Sequence, residues 1–457
     1  MNYTSIVFLY FFLPAFFGLF AVIRPKQRNW VMLLGSLAVI AWGSVKGLIP
    51  FGVCALAAYL CGLGCGNKKL KKSVRRAILA ADLILDITGI VLLLTLSSIY
   101  AHPLTAIGAG IYTLHSAAYC FDVYRNECEA ERSPVRIAAY IAFLPSLCGI
   151  PLVKPKETLE TMKAPAIRSD RLADGIVLLL FGIAEKLILG DRLTALFKEM
   201  IETTRGDMSM LMAWIGAFIF GAGLFCKLKG YSHIAQGFAL MMGFETAPNF
   251  EHPYSASTLR EYLSSYNTSA YGFIQRYVFR PLAGEDTEQA RTLIASAVSI
   301  VVICISYNIS LPFLIWGVGA ALLITFEMLL DQYLSKIPKP VRFIMTHMAT
   351  LIGWALVSQQ TTVGSVEYVS HLFTGALTLD SAPLLYFLSS AAPLVVLLAL
   401  SESKLLKRLS IKLDARRVSP VAMIKPVLTF ALLVLCTVFL MSGTAPHGII
   451  EEVQIGA

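Results

Sequence analysis

Long apolar runs separated by short polar loops set the pattern of this chain, and their periodicity is helical. Clear runs are Ile6 to Ile23, Trp30 to Trp42, Leu48 to Leu63, Ala77 to Leu96, Leu104 to Phe121 and Met208 to Phe225. Others are Leu311 to Leu330, Phe343 to Val357, Tyr386 to Leu400 and Val427 to Met441, with weaker ones near Ile137 to Val153 and Ile176 to Leu189. A helix of about 20 apolar residues crosses a ~30 Å hydrocarbon core. Only helices and closed barrels satisfy their backbone in lipid, and the helical period excludes a barrel. The pattern predicts an all-α polytopic integral membrane protein with about 10–13 membrane helices, the shorter ones re-entrant. The first run lacks a basic leader and an A-x-A-type cleavage site, so it reads as a span rather than a removable signal.

Composition agrees. Hydrophobic residues make up 56% of the 457 and charged residues 15%, too apolar a balance for a soluble fold of this length. The charge supplies orientation. Lys and Arg crowd the first loop (Arg24, Lys26, Arg28), the third (Lys68, Lys69, Lys71, Lys72, Arg75, Arg76) and the fifth (Arg125, Arg132, Arg136), while the second and fourth are nearly bare. Positive charge stays inside, which places the N-terminus outside a cell membrane crossed many times. The surplus of +9 then reads as contact with anionic lipid. Nucleic acid is excluded as a partner because the basic residues are spread over separate loops.

Three regions of a single domain, 1–457, follow from the polar residues. Residues 1–100 are helical hairpins, 101–331 hold nearly all the unusual polar groups, and 332–457 are further helices with a basic linker before the last one. The nine cysteines are scattered, mostly in apolar runs, and Cys61 and Cys65 in "CGLGC" lack partners at metal-ligand spacing, so no metal site is expected. The glycines of "GAGIYT" and "GAGLFC" read as helix-packing positions. "KPKETLETMKAPAIRSDRL" reads as an interfacial segment. Asp82 and Asp86 share a helix face one turn apart, where two like charges repel unless they are protonated or paired with a neighbouring helix.

One stretch departs from the apolar pattern: "STLREYLSSYNTSAYGFIQRYVFRPLAG", Ser257 to Gly284. It and several neighbouring blocks resemble, in order, those of the membrane-bound O-acyltransferase family, in the branch of alginate O-acetylation and teichoic acid D-alanyl transfer. "GIYTLHSAAYCFDVYRNE" is similar to a block ending Asp-Val-Tyr-Arg, and "FLPSLCGIPLVKP" to Phe-Phe-Pro-x-Leu-x-x-Gly-Pro. "FGIAEKLILGDRL" keeps a Lys and an Asp of the family, here Lys186 and Asp191. "KGYSHIAQGFALMMGFETAPNFEHPYSASTLREYLSSYN" follows the Gly-Tyr-Ser-Asp block and the Asn-Phe-x-x-Pro-Tyr run. "YVFRPLAG" resembles Tyr-Ile-Pro-Leu-Gly-Gly, and "LIGWALVSQ" a late Gly-Trp segment. The blocks cover roughly Ile107 to Gln359.

The resemblance implies a ring of helices around a tunnel. No cofactor is bound; an acyl thioester donor (acyl-CoA or acyl carrier protein) enters from the cytoplasm and a cell-envelope polysaccharide or polymer hydroxyl from outside. It implies membrane lipids, an acyl donor protein and an extracytoplasmic acyltransferase or esterase as partners. It also exposes a departure. At the family's spacing, its two histidines fall on Asn267 and Asn308, with Tyr307 for the preceding Trp and Trp316 opening the following Trp-Gly. The position of a further His falls near Ala320, and two acids become His233 and Lys227. A hydroxyl acceptor needs a base for its proton, and an amide cannot take it near neutral pH. Asn267 and Asn308 retain the capacity to orient a ligand or stabilise an oxyanion. His233, inside a matched block, is a candidate replacement base, and His115, one turn from Tyr119, a buried alternative. Arg260, Arg276 and Arg280 flank the polar stretch, with Arg260 and Arg276 candidates for binding an anionic substrate. Two readings result: envelope-polymer O-acylation with weak, altered or lost catalysis, or a non-catalytic acyl- or lipid-binding scaffold. A transporter is disfavoured because no inverted repeat is visible. The retained framework around Asn267 predicts a persistent tunnel, and a tunnel faced by both asparagines would favour a ligand-binding role.

Overall fold

The computed structural model describes residues 4–43, 45–100, 104–148, 151–204, 208–284, 288–359, 361–376, 382–402 and 420–441. The bare fourth loop (101–103) and the body of the basic linker (403–419) lie outside them. Among the described residues all regular structure is helical. The chain forms α1 (Leu13–Val22), α2 (Arg28–Gly43), α3 (Leu48–Gly66), α4 (Lys72–Tyr100), α5 (Leu104–Tyr124), α6 (Pro134–Ile141), α7 (Pro155–Lys163) and α8 (Ser169–Ala184). A π-helical turn, Glu185–Gly190, leads into α9 (Asp191–Thr204) and α10 (Met210–Met241). Then come α11 (Leu259–Tyr266), α12 (Thr268–Ile274), α13 (Arg280–Ala283), α14 (Gln289–Tyr307), α15 (Leu311–Leu329) and α16 (Asp331–Leu334). The last are α17 (Lys339–Val357), α18 (Thr362–Thr374), α19 (Ala382–Glu402) and α20 (Pro420–Met441). Among the described residues six helical stretches are long and apolar enough to cross a membrane: Val45–Gly66, α10, α14, α15, α17 and α19. Phe8–Val22, Pro134–Leu147 and Thr429–Met441 are shorter apolar helices of the kind expected to be re-entrant.

The helices start where local chemistry favours it. The Ser133 hydroxyl accepts the Arg136 N–H ahead of Pro134, which occupies the first turn of α6 without wasting a donor. The Thr361 hydroxyl does the same for the Gly364 N–H at α18.

The chain divides into two compact units. The first is built chiefly from Met1–Phe181 and Tyr231–Ala247. In it α3, α4 and α5 pack together, with Gly62 against the Tyr119 ring so closely that a Cβ would sit 2.3 Å from it. The Phe8, Phe16 and Phe17 rings meet Phe238 edge-on at 5.4–6.0 Å. α8 and α10 touch backbone to backbone, where a Cβ on Gly237 would lie 2.5 Å from the Gly175 carbonyl. The segment read as interfacial forms α7, which buries Leu159 and Met162 and leaves the Lys154–Glu157 pair exposed.

The second unit is built chiefly from Gly182–Gly230 and Pro248–Pro446. α14 and α15 form a close hairpin, with Gly317 against Cys304 and Val301, and α17 joins it with Gly353 flat on the Trp316 ring. Two of the "GAGLFC" positions behave as expected: Gly221 lies against Trp354, and Gly223 against Leu193 and Thr194. Gly110 of "GAGIYT" does not, since a Cβ there would meet open space.

Candidate functional site

The polar stretch begins with a heavily capped helix. The Thr258 hydroxyl accepts the Glu261 N–H at 3.1 Å, and Glu261 reaches back to the Ser257 N–H at 2.8 Å. Glu327 of α15 adds a carboxylate that accepts the Leu259 and Arg260 N–H groups at 2.9 and 3.3 Å. Four helical N–H groups lack intrahelical partners at such an end, and these contacts satisfy the first of them. Held in this way, α11 turns Tyr262 and Tyr266, one turn apart, inward.

Asn267 stands at the junction of α11 and α12. Its Oδ1 accepts the Ala270 N–H at 3.1 Å and the Ser269 hydroxyl at 3.2 Å, so it is the cap of α12. Its side chain also lies beside the Tyr307 hydroxyl. Asn249 braces the same junction, accepting the Thr268 N–H on its carbonyl and the Ser269 N–H on Oδ1, both at 2.9 Å. A π-helical segment, Gln275–Phe279, follows α12, and the run ends at Gly284 with φ +74°, a conformation side-chain-bearing residues rarely adopt. The central asparagine of the stretch is therefore a buried helix cap beside the end of α14.

Around this junction lies an aromatic chamber of about 40 Å³. α11 contributes Tyr262, Leu263 and Tyr266; α14 and α15 contribute Tyr307, Cys304 and Trp316; α17 contributes Thr350 and Trp354; and α10 closes it with Leu224 and Leu228. The Trp354 indole donates to the Tyr262 hydroxyl at 3.3 Å, and Tyr266 contacts Trp354 and Tyr307 at ring distances of 5.5 and 6.4 Å. The volume suits a water or two, less than an acyl group with its acceptor needs. Burial holds the Tyr254 and Tyr262 phenols well above their usual range, so neither is a base at neutral pH.

A histidine that sequence reasoning passed over stands beside this chamber. His347 lies two turns before Trp354 on α17, with its ring 6.2 Å from Tyr262 and 6.4 Å from Tyr254. Its Nδ1 is 2.9 Å from the Phe343 carbonyl. A carbonyl only accepts, so Nδ1 carries the proton and Nε2 is left with its lone pair. Nε2 is buried and has no hydrogen-bond partner among the described residues. The signal was present: a His in the apolar run Phe343 to Val357, on the face that carries the Trp of "LIGWALVSQ".

The other candidates are dispersed. Tyr307 and Trp316 line the chamber together, but neither asparagine is part of its wall. Asn308 is half-exposed, in extended conformation at the turn from α14 to α15, where its carbonyl accepts the Ser310 N–H. The Asn267 side chain is instead engaged in capping α12. Arg260 is exposed, and Arg276 packs over the Tyr277 ring at 5.8 Å. His233 belongs to the first unit, half-buried with its ring 5.8 Å from Phe181.

Buried charge fills the second unit near Tyr254. Lys186 pairs with Asp191 at 2.9 Å, and Lys227, at an acid position of the family pattern, approaches the same carboxylate at 3.6 Å. Lys229 pairs with Glu185 at 2.9 Å and with Glu402, which also meets His252 at 3.3 Å. Lys229 lies over the Phe225 ring, which in turn contacts Tyr254 at 5.0 Å. Three lysines face three carboxylates, the balance that buried charge requires.

Comparison with known proteins agrees with this architecture. The sequence pattern describing the membrane-bound O-acyltransferase family matches residues 131–358, which include α11 to α17. The chain is 26% identical over 377 residues to the probable alginate O-acetylase AlgI of Pseudomonas aeruginosa, covering 78% of this chain and 72% of that protein. With the Pseudomonas putida protein of the same name it is 27% identical over 379 residues, covering 78% and 77%. A peptidoglycan O-acetyltransferase of Helicobacter pylori is 21% identical over 287 residues, covering 55% and 54%. With its all-helical membrane fold and its ordered motifs, the chain belongs to the membrane-bound O-acyltransferase family.

Proposed function

We propose that this protein O-acylates a cell-envelope polymer, most simply with acetyl, and that His347 supplies the base that Asn267 and Asn308 cannot. The observation that carries the reading is the unpaired, buried Nε2 of His347 beside the aromatic chamber. In the reaction an acceptor hydroxyl attacks the carbonyl of an acyl thioester. Nε2 takes the hydroxyl proton as the C–O bond forms, the C–S bond breaks, and the proton passes to the departing thiolate. The Trp354 indole and the tyrosine hydroxyls of the chamber wall orient substrate rather than move protons. Relatives named for alginate and peptidoglycan acetylation support an envelope polymer as acceptor. The basic loops support an N-terminus outside, and the family resemblance implies donor entry from the cytoplasm, an acyl donor protein and an extracytoplasmic acyltransferase or esterase partner.

The alternative is a scaffold that keeps the chamber without turnover, favoured by the capping role of Asn267 and the small volume of the cavity. One experiment separates them. Purified protein in lipid is given labelled acetyl thioester and a polysaccharide acceptor, and compared with His347→Ala and His347→Gln. Turnover reduced by ~10²–10⁴-fold in both variants, with melting unchanged, is the expected result. Turnover indifferent to His347 rejects the base, and a folded wild-type protein with no turnover on any acceptor favours the scaffold.

A further inference from the structure

Among the buried titratable groups that the transfer chemistry leaves unused is the Asp82–Asp86 pair of α4 in the first unit. Both carboxyls are almost sealed, at 1% and 3% exposure. They lie one turn apart on the same face, toward α3 and α5, the two helices packed most extensively on α4. No ion pair to either is present among the described residues, and none of the four carboxyl oxygens has a hydrogen bond of ordinary geometry. The groups that face them are uncharged. From α3 they are Cys54, Cys61 and Cys65; from α5 they are Cys120, beside Asp82, and Ser116, beside Asp86. The Ser116 hydroxyl is itself fully buried and without a partner of ordinary geometry. On α4 the basic Arg75 is spent elsewhere, on the Cys65 and Tyr124 carbonyls at 2.6 and 3.0 Å. No group of residues suited to holding a metal ion occurs among the described residues.

Two adjacent carboxylates without a cation would carry uncompensated charge into an apolar helix bundle, which proteins avoid by neutralising the group. A carboxylic acid has what this environment asks for. Its O–H donates to a thiol, a hydroxyl or the neighbouring carboxyl, and its net charge is zero. The orphaned Ser116 hydroxyl then finds a partner in the protonated Asp86. We propose that Asp82 and Asp86 form a buried proton-binding site, the pair holding its protons at neutral pH against Cys61, Cys120 and Ser116.

Infrared spectroscopy of the full-length protein in lipid nanodiscs tests this at neutral pH. The wild type is compared with Asp82→Asn, Asp86→Asn and the double variant, each first shown to be folded by size-exclusion chromatography. The expected result is a protonated-carboxyl C=O band in the wild type that weakens in each single variant and is lost in the double. Should the double variant fail to fold, the single variants decide. Spectra in which the substitutions remove only carboxylate absorption, leaving the protonated-carboxyl region unchanged, would overturn the proposal.

Discussion

Glu327, near the end of α15, accepts the backbone N–H of Leu259 at 2.9 Å and so fixes the start of α11. The carboxylate crosses 68 residues of sequence to hold the helix that carries Tyr262 and Tyr266. Glu327→Ala leaves the part-buried Leu259 N–H unsatisfied and opens the Arg260 N–H to water, at an expected cost of about 1–3 kcal/mol. Glu327→Gln retains one acceptor and should recover part of the loss. Thermal unfolding in detergent checks the order wild type, Gln, Ala; an Ala variant as stable as wild type would show that water replaces the carboxylate.

His347 and His233 make opposite predictions. His347→Ala should reduce acyl transfer by ~10²-fold or more while leaving the fold intact. His233→Ala, at a half-buried position against Phe181, should leave the rate within a few fold. Activity that follows His233 instead would return the base to the block in which sequence comparison places it.

Asn267 should behave as a cap. Asn267→Ala is expected to lose about 0.5–2 kcal/mol of stability, and Asn267→Ser, which caps as well, much less. Asn267→His should not raise activity, because the ring cannot reproduce the bonds to Ala270 and Ser269. A melting series checks the cap, and a gain of turnover in the histidine variant would count against the structural role.

Asp191 balances two buried lysines. Asp191→Asn should destabilise by about 3–5 kcal/mol, since Lys186 and Lys227 lose their shared counter-charge. Lys186→Met should cost less, because Lys227 still faces the carboxylate. Equal melting temperatures for the two variants would mean that the cluster is not held together by charge.

How much of this was legible in advance follows from the range of each interaction. Helical class, membrane residence and the family blocks come from local hydropathy and ordered motifs; the structure agrees on the helices and their apolar length, and the comparisons on the family. The capping of α11 is equally local, with Thr258 and Glu261 three residues apart. The meaning of Asn267 was not legible. Spacing aligned it with a family histidine, while its actual partners, the Ala270 N–H and the Ser269 hydroxyl, depend on how α12 begins.

The sequence by itself determined that the chain is a bundle of apolar helices interrupted by one polar, family-patterned stretch, because hydrophobic periodicity and helix caps act over a few residues. Only the tertiary structure decided which polar groups meet. His347 read as one residue in an apolar span until α11 laid Tyr262 against it. Lys227 read as a lost acid until Asp191 was found beside it. Asp82 and Asp86 read as charges awaiting a partner until α3 and α5 surrounded them with thiols and a hydroxyl. The physical reason is the same in each case: a buried polar group is defined by what surrounds it, and its neighbours come from segments that sequence separation keeps apart.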